Sequence, residues 1–183
     1  MEKNLIKTLK VLKTKKKKIV LCHGVFDLVH LGHIEHFKSA KSYGDYLIVS
    51  LTLDKFIKKG PGRPLFNEQQ RMEYLKQIKI VDQVILSKTE SSIDIINTIK
   101  PDFYVKGPDY KENYKDKTKK IILEKKAVEK NGGKIRFTND ITFSSSNILN
   151  TSNLIFDDKQ RDFINNLKKK FIYNQIEEAL KKF

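Results

Sequence analysis

Five short apolar segments, rich in β-branched residues, alternate along the chain with longer segments that have helical periodicity. The apolar segments predict strands at residues 18–23, 46–52, 83–87, 102–107 and 134–138. The intervening segments predict helices at residues 33–44, 67–78, 91–100 and 118–133. Because nearly continuous apolar strands joined through helices must be covered on both faces, this alternation predicts a doubly wound, Rossmann-like α/β fold with a five-stranded parallel sheet. In such sheets a ligand binds at the carboxyl ends of the strands, where the strand order reverses.

The pattern changes after residue 150, where apolar residues recur every four positions. Phe163, Leu167 and Phe171 form one such series, and a second series follows it. We therefore predict a domain over residues 1–150 and a C-terminal helical extension or linker over residues 151–183.

The composition limits the partners of the chain without choosing among them. Lys and Arg number 37 against 22 Asp and Glu, and the net charge of +15 attracts phosphate in a nucleic acid, an anionic membrane surface or a nucleotide. Cys22 is the only cysteine, so an intrachain disulfide and a cysteine-rich metal site are both excluded. The N-terminus lacks the apolar core of a signal peptide, and no run of about 18 apolar residues occurs. We expect a cytoplasmic protein without a membrane segment.

The most informative motif is GVFDLVHLGH, which directly follows the first predicted strand. His30 and His33 lie three residues apart, so a helix that begins here presents both imidazoles on one face, beside backbone N–H groups that favour an anion. Gly24 and Gly32 allow a phosphate group to approach the backbone closely. A metal site is the weaker alternative, because the glutamate of the zinc protease helix is missing and no cysteine lies near enough to complete a tetrahedral site.

Three consecutive serines, Ser144 to Ser146, follow the last predicted strand. An ordinary N-cap needs only one serine, whereas three hydroxyl groups at the start of a helix can bind the β and γ phosphates of a nucleotide. We favour phosphate binding over simple capping.

Five segments in order resemble the nucleotidyltransferase superfamily that carries the His-x-Gly-His motif. They are GVFDLVHLGH, GDYLIVSLT with the residues after it, KGPGRPLFNEQQRMEYL, PDFYVKGPDY and FSSSNIL. The superfamily includes glycerol-phosphate cytidylyltransferases and the heptose-phosphate adenylyltransferase domains of bifunctional sugar kinase/nucleotidyltransferases. The resemblance implies that the phosphate of an acceptor attacks the α-phosphorus of a nucleoside triphosphate, and that pyrophosphate leaves without a covalent enzyme intermediate.

The resemblance also implies the substrates. GDYLIVSLT, with Asp54 and Phe56 after it, favours the cytidylyltransferases, so we expect a transfer of CMP from CTP to a sugar phosphate or polyol phosphate for capsular or other surface polysaccharides. The alternative is ADP-heptose synthesis from ATP and heptose 1-phosphate, which KGPGRP and YVKGPDY favour. Magnesium is expected with the triphosphate and not at a protein metal site. A homodimer is expected, and a sugar-kinase domain is expected in longer relatives. A nucleic-acid-binding domain is a more remote alternative, and we expect no nucleic-acid partner, since basic residues interleaved with aromatic residues are not evident.

Residue roles follow from the resemblance in three groups. The catalytic residues are expected to be His30, His33 and Lys59. Nucleotide contacts are expected from Gly24, Val25, Phe26, Asp27, Gly32, Lys58, Arg71, Gly107, Asp109, Thr142, Phe143, Ser144, Ser145 and Ser146. Lys55 and Lys106 are expected to bind the acceptor. For Asp27, orienting a backbone segment and reaching a magnesium ion are equal alternatives, and for Arg71, binding phosphate and bracing the loop are equal alternatives.

Overall fold

A computed structural model of the chain describes residues 2–59, 62–89, 91–108, 110, 120–139, 159 and 162. The chain divides into two units, residues 1–145 and 146–183. All but two of the described residues belong to the first unit, so the predicted division at residue 150 and the C-terminal helical extension remain predictions.

A parallel five-stranded sheet forms the centre of the first unit, with the strand order β3-β2-β1-β4-β5. The strands are β1 (Ile19–Gly24), β2 (Tyr46–Thr52), β3 (Gln83–Ser87), β4 (Phe103–Lys106) and β5 (Lys134–Phe137). Every predicted strand is confirmed to within one residue at each end, and the predicted Rossmann-like fold class is confirmed with them.

The helices are α1 (Glu2–Thr14), α2 (Leu31–Lys41), α3 (Glu68–Lys76), α4 (Ile93–Ile99) and α5 (Lys120–Lys130), with a 3-10 turn at Asp54–Phe56. The four predicted helices are confirmed, although α2 begins two residues earlier than predicted and the other ends fall inside the predicted bounds. Asn67 caps α3 as expected, because its side chain accepts a hydrogen bond from the Gln70 backbone N–H at 3.0 Å. Helix α1 was not predicted, and its Leu5 and Leu9 are buried in the core.

Each face of the sheet has its own hydrophobic core. Phe37 of α2 and Leu75 of α3 pack against β1 and β2 on one face. On the other face, Ile96 of α4 and Val128 of α5 pack against Ile48 and other strand residues. Helices therefore cover both faces, which is the doubly wound arrangement that continuous apolar strands require.

Aspartates fix the strands at the amino edge of the sheet. The Asp45 carboxylate accepts from the Lys18 backbone N–H at 2.8 Å, Asp82 from that of Leu47 at 2.6 Å and Asp102 from that of Ile19 at 2.9 Å. The opposite, carboxyl edge holds the switch point, where β1 separates β2 on one side from β4 on the other. Gly24 and Lys106 end β1 and β4 at this crevice. Within the described residues, no helix has the length and apolar character to cross a bilayer.

Candidate active site

The turn that leaves β1 is tightly constrained by packing. Phe26 adopts a left-handed conformation with φ of 49° and is buried, which places its ring 5.3 Å from the rings of His33 and Phe37. A Cβ at Gly24 would lie 3.0 Å from the Phe26 ring, so the turn favours a glycine there. The Tyr74 hydroxyl donates to the backbone carbonyls of Phe26 and Asp27. The motif therefore leaves the sheet in a fixed direction.

His30 and His33 meet at the N-terminus of α2, as the sequence predicted. His30 is the N-cap residue, and the centroids of the two imidazole rings lie 4.0 Å apart with an angle of 35° between the planes. The His30 backbone N–H donates to His33 Nδ1 at 3.4 Å, which assigns the proton of a neutral His33 to Nε2. Gly32 is buried within this first turn. The site thus offers an imidazole N–H donor beside the free amides of a helix start.

His33 is neutral at physiological pH. Burial, followed by the charges of His30, His36 and Lys59, lowers its pKa to about 3. Lys59, which lies on the loop after β2, therefore acts electrostatically on His33. The pKa of Lys59 is itself lowered, by burial and by Arg63, while Asp27 opposes that shift.

Asp27 joins the histidine loop to the lysine loop. Its carboxylate accepts from Arg63 Nε at 2.7 Å, and from the backbone N–H groups of Leu65 at 2.8 Å and Phe66 at 3.1 Å. The side chains of Asp27 and Arg63 are each only 1% exposed. Of the two roles considered for Asp27, the structure shows the orientation of a backbone segment. Its contact with a nucleotide stays a prediction.

Arg71 is fully buried and braces three segments of the chain. Its guanidinium donates to the backbone carbonyls of Val25, of Thr52 at 2.8 Å and of Phe66 at 3.0 Å. It also pairs with the Asp54 carboxylate at 2.6 Å. The structure therefore shows the bracing role, and none of these contacts supports a phosphate contact by Arg71.

Lys106 lies at the carboxyl end of β4, beside the crevice. Its ammonium pairs with Glu124 of α5 at 3.2 Å and lies 4.5 Å from the centre of the Tyr110 ring. Burial opposes the charge of Lys106, but Tyr104 and the Glu124 carboxylate outweigh burial and raise its pKa. Lys106 is therefore a buried cation at the switch point, and its predicted contact with the acceptor remains a prediction.

The other predicted residues are less closely grouped. Lys55 is exposed, lies 4.9 Å from the centre of the Phe56 ring, and lines a shallow cleft at the start of α3. Lys58 is exposed beside Lys59, and a Cβ at Gly107 would meet no atom within 4 Å, so space is open there. Predicted nucleotide contacts that fall outside the described residues are Asp109, Thr142, Phe143, Ser144, Ser145 and Ser146.

Two histidines near the site were missed by sequence reasoning. His36 Nδ1 lies 3.1 Å from the Thr138 hydroxyl, and the i, i+3 spacing of His30, His33 and His36 was the available signal. His23 Nδ1 lies 3.1 Å from the Ser50 hydroxyl, and burial, followed by the charge of Lys106, lowers the pKa of His23 to about 3. The available signal for His23 was a polar residue near the carboxyl end of an otherwise apolar strand.

No group of three or more His, Cys, Asp or Glu side chains able to hold a metal ion occurs in the part of the chain that the structure describes. The carboxylate of the motif itself, that of Asp27, already accepts hydrogen bonds from a guanidinium and two backbone amides. The described residues therefore do not fit a dedicated magnesium site.

The model of the cytidylyltransferase-like family matches residues 21–170. The chain belongs to this family. The match includes most of β1, the histidine motif and the loops around the crevice. The family name covers the whole superfamily and does not specify the base of the nucleotide.

Several curated relatives carry the name bifunctional protein HldE. The chain is 36% identical to that of Geobacter metallireducens over 143 residues, which cover 75% of this chain and 27% of the relative. It is 35% identical to that of Syntrophotalea carbinolica over 129 residues, which cover 69% of this chain and 25% of the relative. The chain therefore spans about a quarter of the length of these relatives.

Solved structures support the same fold. A lipopolysaccharide core biosynthesis protein from Thermoplasma volcanium has a TM-score of 0.55 and 26% identity, with 70% of this chain and 99% of that chain covered. A pantoate-beta-alanine ligase from Francisella tularensis has a TM-score of 0.54 and 17% identity, with 90% of this chain and 76% of that chain covered, and supports the fold alone.

The expectation of a CTP-dependent cytidylyltransferase is wrong. The relatives are HldE proteins, which belong to the heptose-phosphate adenylyltransferase branch and not to the glycerol-phosphate branch. The structure gives a physical reason for the error. The stretch GDYLIVSLT, with Asp54 and Phe56 after it, supplied most of the argument for CTP, but Leu47 to Leu51 of this stretch are buried in β2. Their likeness to cytidylyltransferases therefore reports sheet packing and not nucleotide choice.

Proposed function

We propose that the chain is an adenylyltransferase that transfers AMP from ATP to a heptose 1-phosphate, giving an ADP-heptose and pyrophosphate. The observation that carries the proposal is the pair of imidazoles, 4.0 Å apart, at the N-terminus of α2 beside the switch point. The choice of ATP and heptose rests on the similarity to HldE proteins.

In the proposed reaction, an oxygen of the acceptor phosphate attacks the α-phosphorus of ATP and forms a new P–O bond. The bond between the α-phosphorus and its bridging oxygen breaks, and pyrophosphate leaves with that electron pair. No general base is needed, because the acceptor phosphate is already ionised. Catalysis then depends on positioning and on stabilising the charge that develops on the oxygens.

The described residues fit this requirement in their chemistry. His33 is neutral with its proton on Nε2, so its Nε2–H group can donate a hydrogen bond to a phosphate oxygen. Helix α2 adds its free backbone N–H groups. Lys59 supplies a positive charge from the opposite loop, which Asp27 and Arg63 hold in place. We assign His30, His33 and Lys59 to the α-phosphate and to the leaving pyrophosphate.

Magnesium enters the proposal only as part of the nucleotide. A magnesium ion bound to the triphosphate neutralises part of its charge. Since the described residues offer no dedicated site for it, we propose that the ion arrives with ATP, and that the described part of the chain contributes imidazoles, amides and lysines.

The longer relatives place the activity in a wider context. They are bifunctional by name and about four times as long as the matched region. We propose that a sugar kinase is their second activity, and that it supplies a phosphorylated heptose to a domain like this one. We also propose that the product is used for the heptose of lipopolysaccharide.

The experiment that tests the proposal is a matrix of substrates. The full chain is incubated with magnesium, with ATP, CTP, GTP or UTP, and with heptose 1-phosphate, glycerol 3-phosphate or other sugar 1-phosphates, and pyrophosphate release is followed. We expect release to be fastest with ATP and heptose 1-phosphate. Fastest release with another nucleotide, or no release with any pair from folded protein, contradicts the proposal.

A further inference from the structure

We propose that His36 is a positioning residue of the site, and that its hydrogen bond with Thr138 fixes helix α2 against the carboxyl end of β5. The bond would thereby set the distance between the face that carries His30 and His33 and the far side of the crevice. The kinetic part of this inference rests on the proposed nucleotidyl transfer, whereas the structural part can be tested without it.

His36 and Thr138 lie within hydrogen-bonding distance of each other. His36 follows His33 by three residues and therefore lies on the same face of α2. Its Nδ1 is 3.1 Å from Thr138 Oγ1. Thr138 is itself well fixed, since it is only 2% exposed and its backbone N–H donates to the Lys106 carbonyl at 3.0 Å. The hydroxyl is thus a rigid partner and not part of a solvated side chain.

The hydrogen bond joins segments from the two halves of the sheet. Helix α2 connects β1 to β2 and belongs to one half of the sheet, whereas Thr138 follows β5 in the other half. The bond therefore crosses the switch point at the carboxyl edge. At the amino edge, Asp102 crosses between the same halves, where it accepts from the Ile19 backbone N–H at 2.9 Å and from Lys18 Nζ at 3.0 Å. With a tie at each edge, the two halves cannot separate by simple rotation about the amino edge.

His36 also acts on His33 electrostatically. Its charge is one of the causes that lower the pKa of His33, after burial and the charge of His30. A movement of His36 would therefore change both the location and the electrostatic surroundings of the His33 ring. Since a misplacement of about 1 Å at a reacting centre can cost on the order of 100-fold in rate, a tie at this place is expected to matter for turnover.

The test compares substitutions that break the hydrogen bond between His36 and Thr138 with substitutions that keep it. Thr138→Val keeps the shape of the side chain and removes the hydroxyl, Thr138→Ser keeps the hydroxyl, and His36→Phe keeps an aromatic ring. Thr98→Val makes the same change on the exposed face of α4, where the hydroxyl donates only to the Asp94 carbonyl. For each variant kcat, the KM for ATP and the free energy of unfolding are measured.

We expect Thr138→Val and His36→Phe each to lower kcat about tenfold or more, with a smaller change in KM, since the helix is misplaced by part of the distance considered above. We expect the double variant to be no worse than His36→Phe alone, because Thr138→Val removes only a bond that His36→Phe has already broken. Thr138→Ser should restore most of kcat, and Thr98→Val should leave it unchanged. Unchanged kcat in both bond-breaking variants, or additive losses in the double variant, would overturn the inference.

A second readout does not depend on catalysis. In two-dimensional NMR spectra of the full chain without substrates, Thr138→Val should shift the backbone and ring signals of His33, whereas Thr138→Ser and Thr98→Val should not. If the wild-type protein shows no transfer with any substrate pair, the proposed function fails and the NMR result alone decides the role of His36. His33 signals that stay in place in Thr138→Val would overturn the inference.

Discussion

The imidazole rings of His30 and His33 can lie this close together because at least one of them is uncharged. Two protonated rings 4.0 Å apart would repel each other, and burial keeps the pKa of His33 near 3. In the proposed reaction, Lys59 would supply the positive charge and His33 a directed N–H. We expect that a bound triphosphate raises the pKa of His33, since a nearby negative charge favours the imidazolium form.

Replacement of His33 by alanine should affect the chemical step more than binding. The removal of one preorganised donor typically lowers kcat by a factor on the order of 100 to 1,000, and we expect a loss in this range for His33→Ala. Lys76→Ala, on the exposed side of α3, is the control and should keep wild-type turnover. A folded His33→Ala variant with wild-type kcat would remove His33 from the mechanism.

The buried histidines should also make stability depend on pH. The folded-state pKa of His23 is about 3, below the ordinary value of 6.5, and that of His33 is lowered in the same way. As the pH falls below 6.5, the unfolded chain takes up protons that the folded chain does not, so the free energy of unfolding must decrease between pH 6.5 and pH 3. Urea titrations at pH 7 and pH 5 should show a smaller decrease for His23→Asn than for the wild type. Equal decreases would show that His23 is not held neutral.

At the scale of elements, the strands and the central helices could be predicted because their apolar spacing is local information. Helix α1 was missed, although Leu5, Leu9 and Leu12 recur at helical spacing. The many lysines around them drew attention to charge and to the absence of a signal peptide. The helix is held by tertiary burial of two of these leucines, which local propensity does not reveal.

The roles of Asp27 and Arg71 could not be predicted from their neighbours in the sequence. The partners of Arg71 lie 46, 19, 17 and 5 residues away, so its bracing role exists only in the folded chain. Asp27 likewise meets its partners 36 to 39 residues further along. An arginine beside a predicted phosphate site is equally consistent with binding a ligand, which is why the alternative stayed open.

Removal of the Arg71 guanidinium should destabilise the fold strongly. Arg71→Met leaves the carbonyls of Val25, Thr52 and Phe66 without their donor, and an unsatisfied buried acceptor costs about 1 to 3 kcal/mol. We expect the free energy of unfolding to fall by at least about 3 kcal/mol in urea titrations. Lys76→Met on the same helix, where the side chain is 44% exposed, should change it by less than about 0.5 kcal/mol. A loss below about 1 kcal/mol for Arg71→Met would contradict the bracing role.

At the scale of the whole molecule, the two halves of the sheet contribute different chemistry to one crevice. His30, His33 and Lys59 come from the first half, and Lys106 and Gly107 come from the second. The class of reaction could be predicted because the histidine motif joins a strand to a helix in one short segment. The nucleotide could not, because most of the stretch used to choose it is buried in β2 and reports the packing of the sheet.

The fate of a labelled α-phosphate tests the proposed reaction most directly. The full chain is incubated with magnesium, heptose 1-phosphate and ATP labelled at the α-phosphorus, in parallel with CTP labelled at the same atom. We predict that label moves from ATP into an ADP-heptose in step with pyrophosphate release, that His33→Ala slows this movement on the order of 100-fold or more, and that CTP gives little product. Label that remains in ATP, that appears only in free AMP or ADP, or that moves faster from CTP would contradict it.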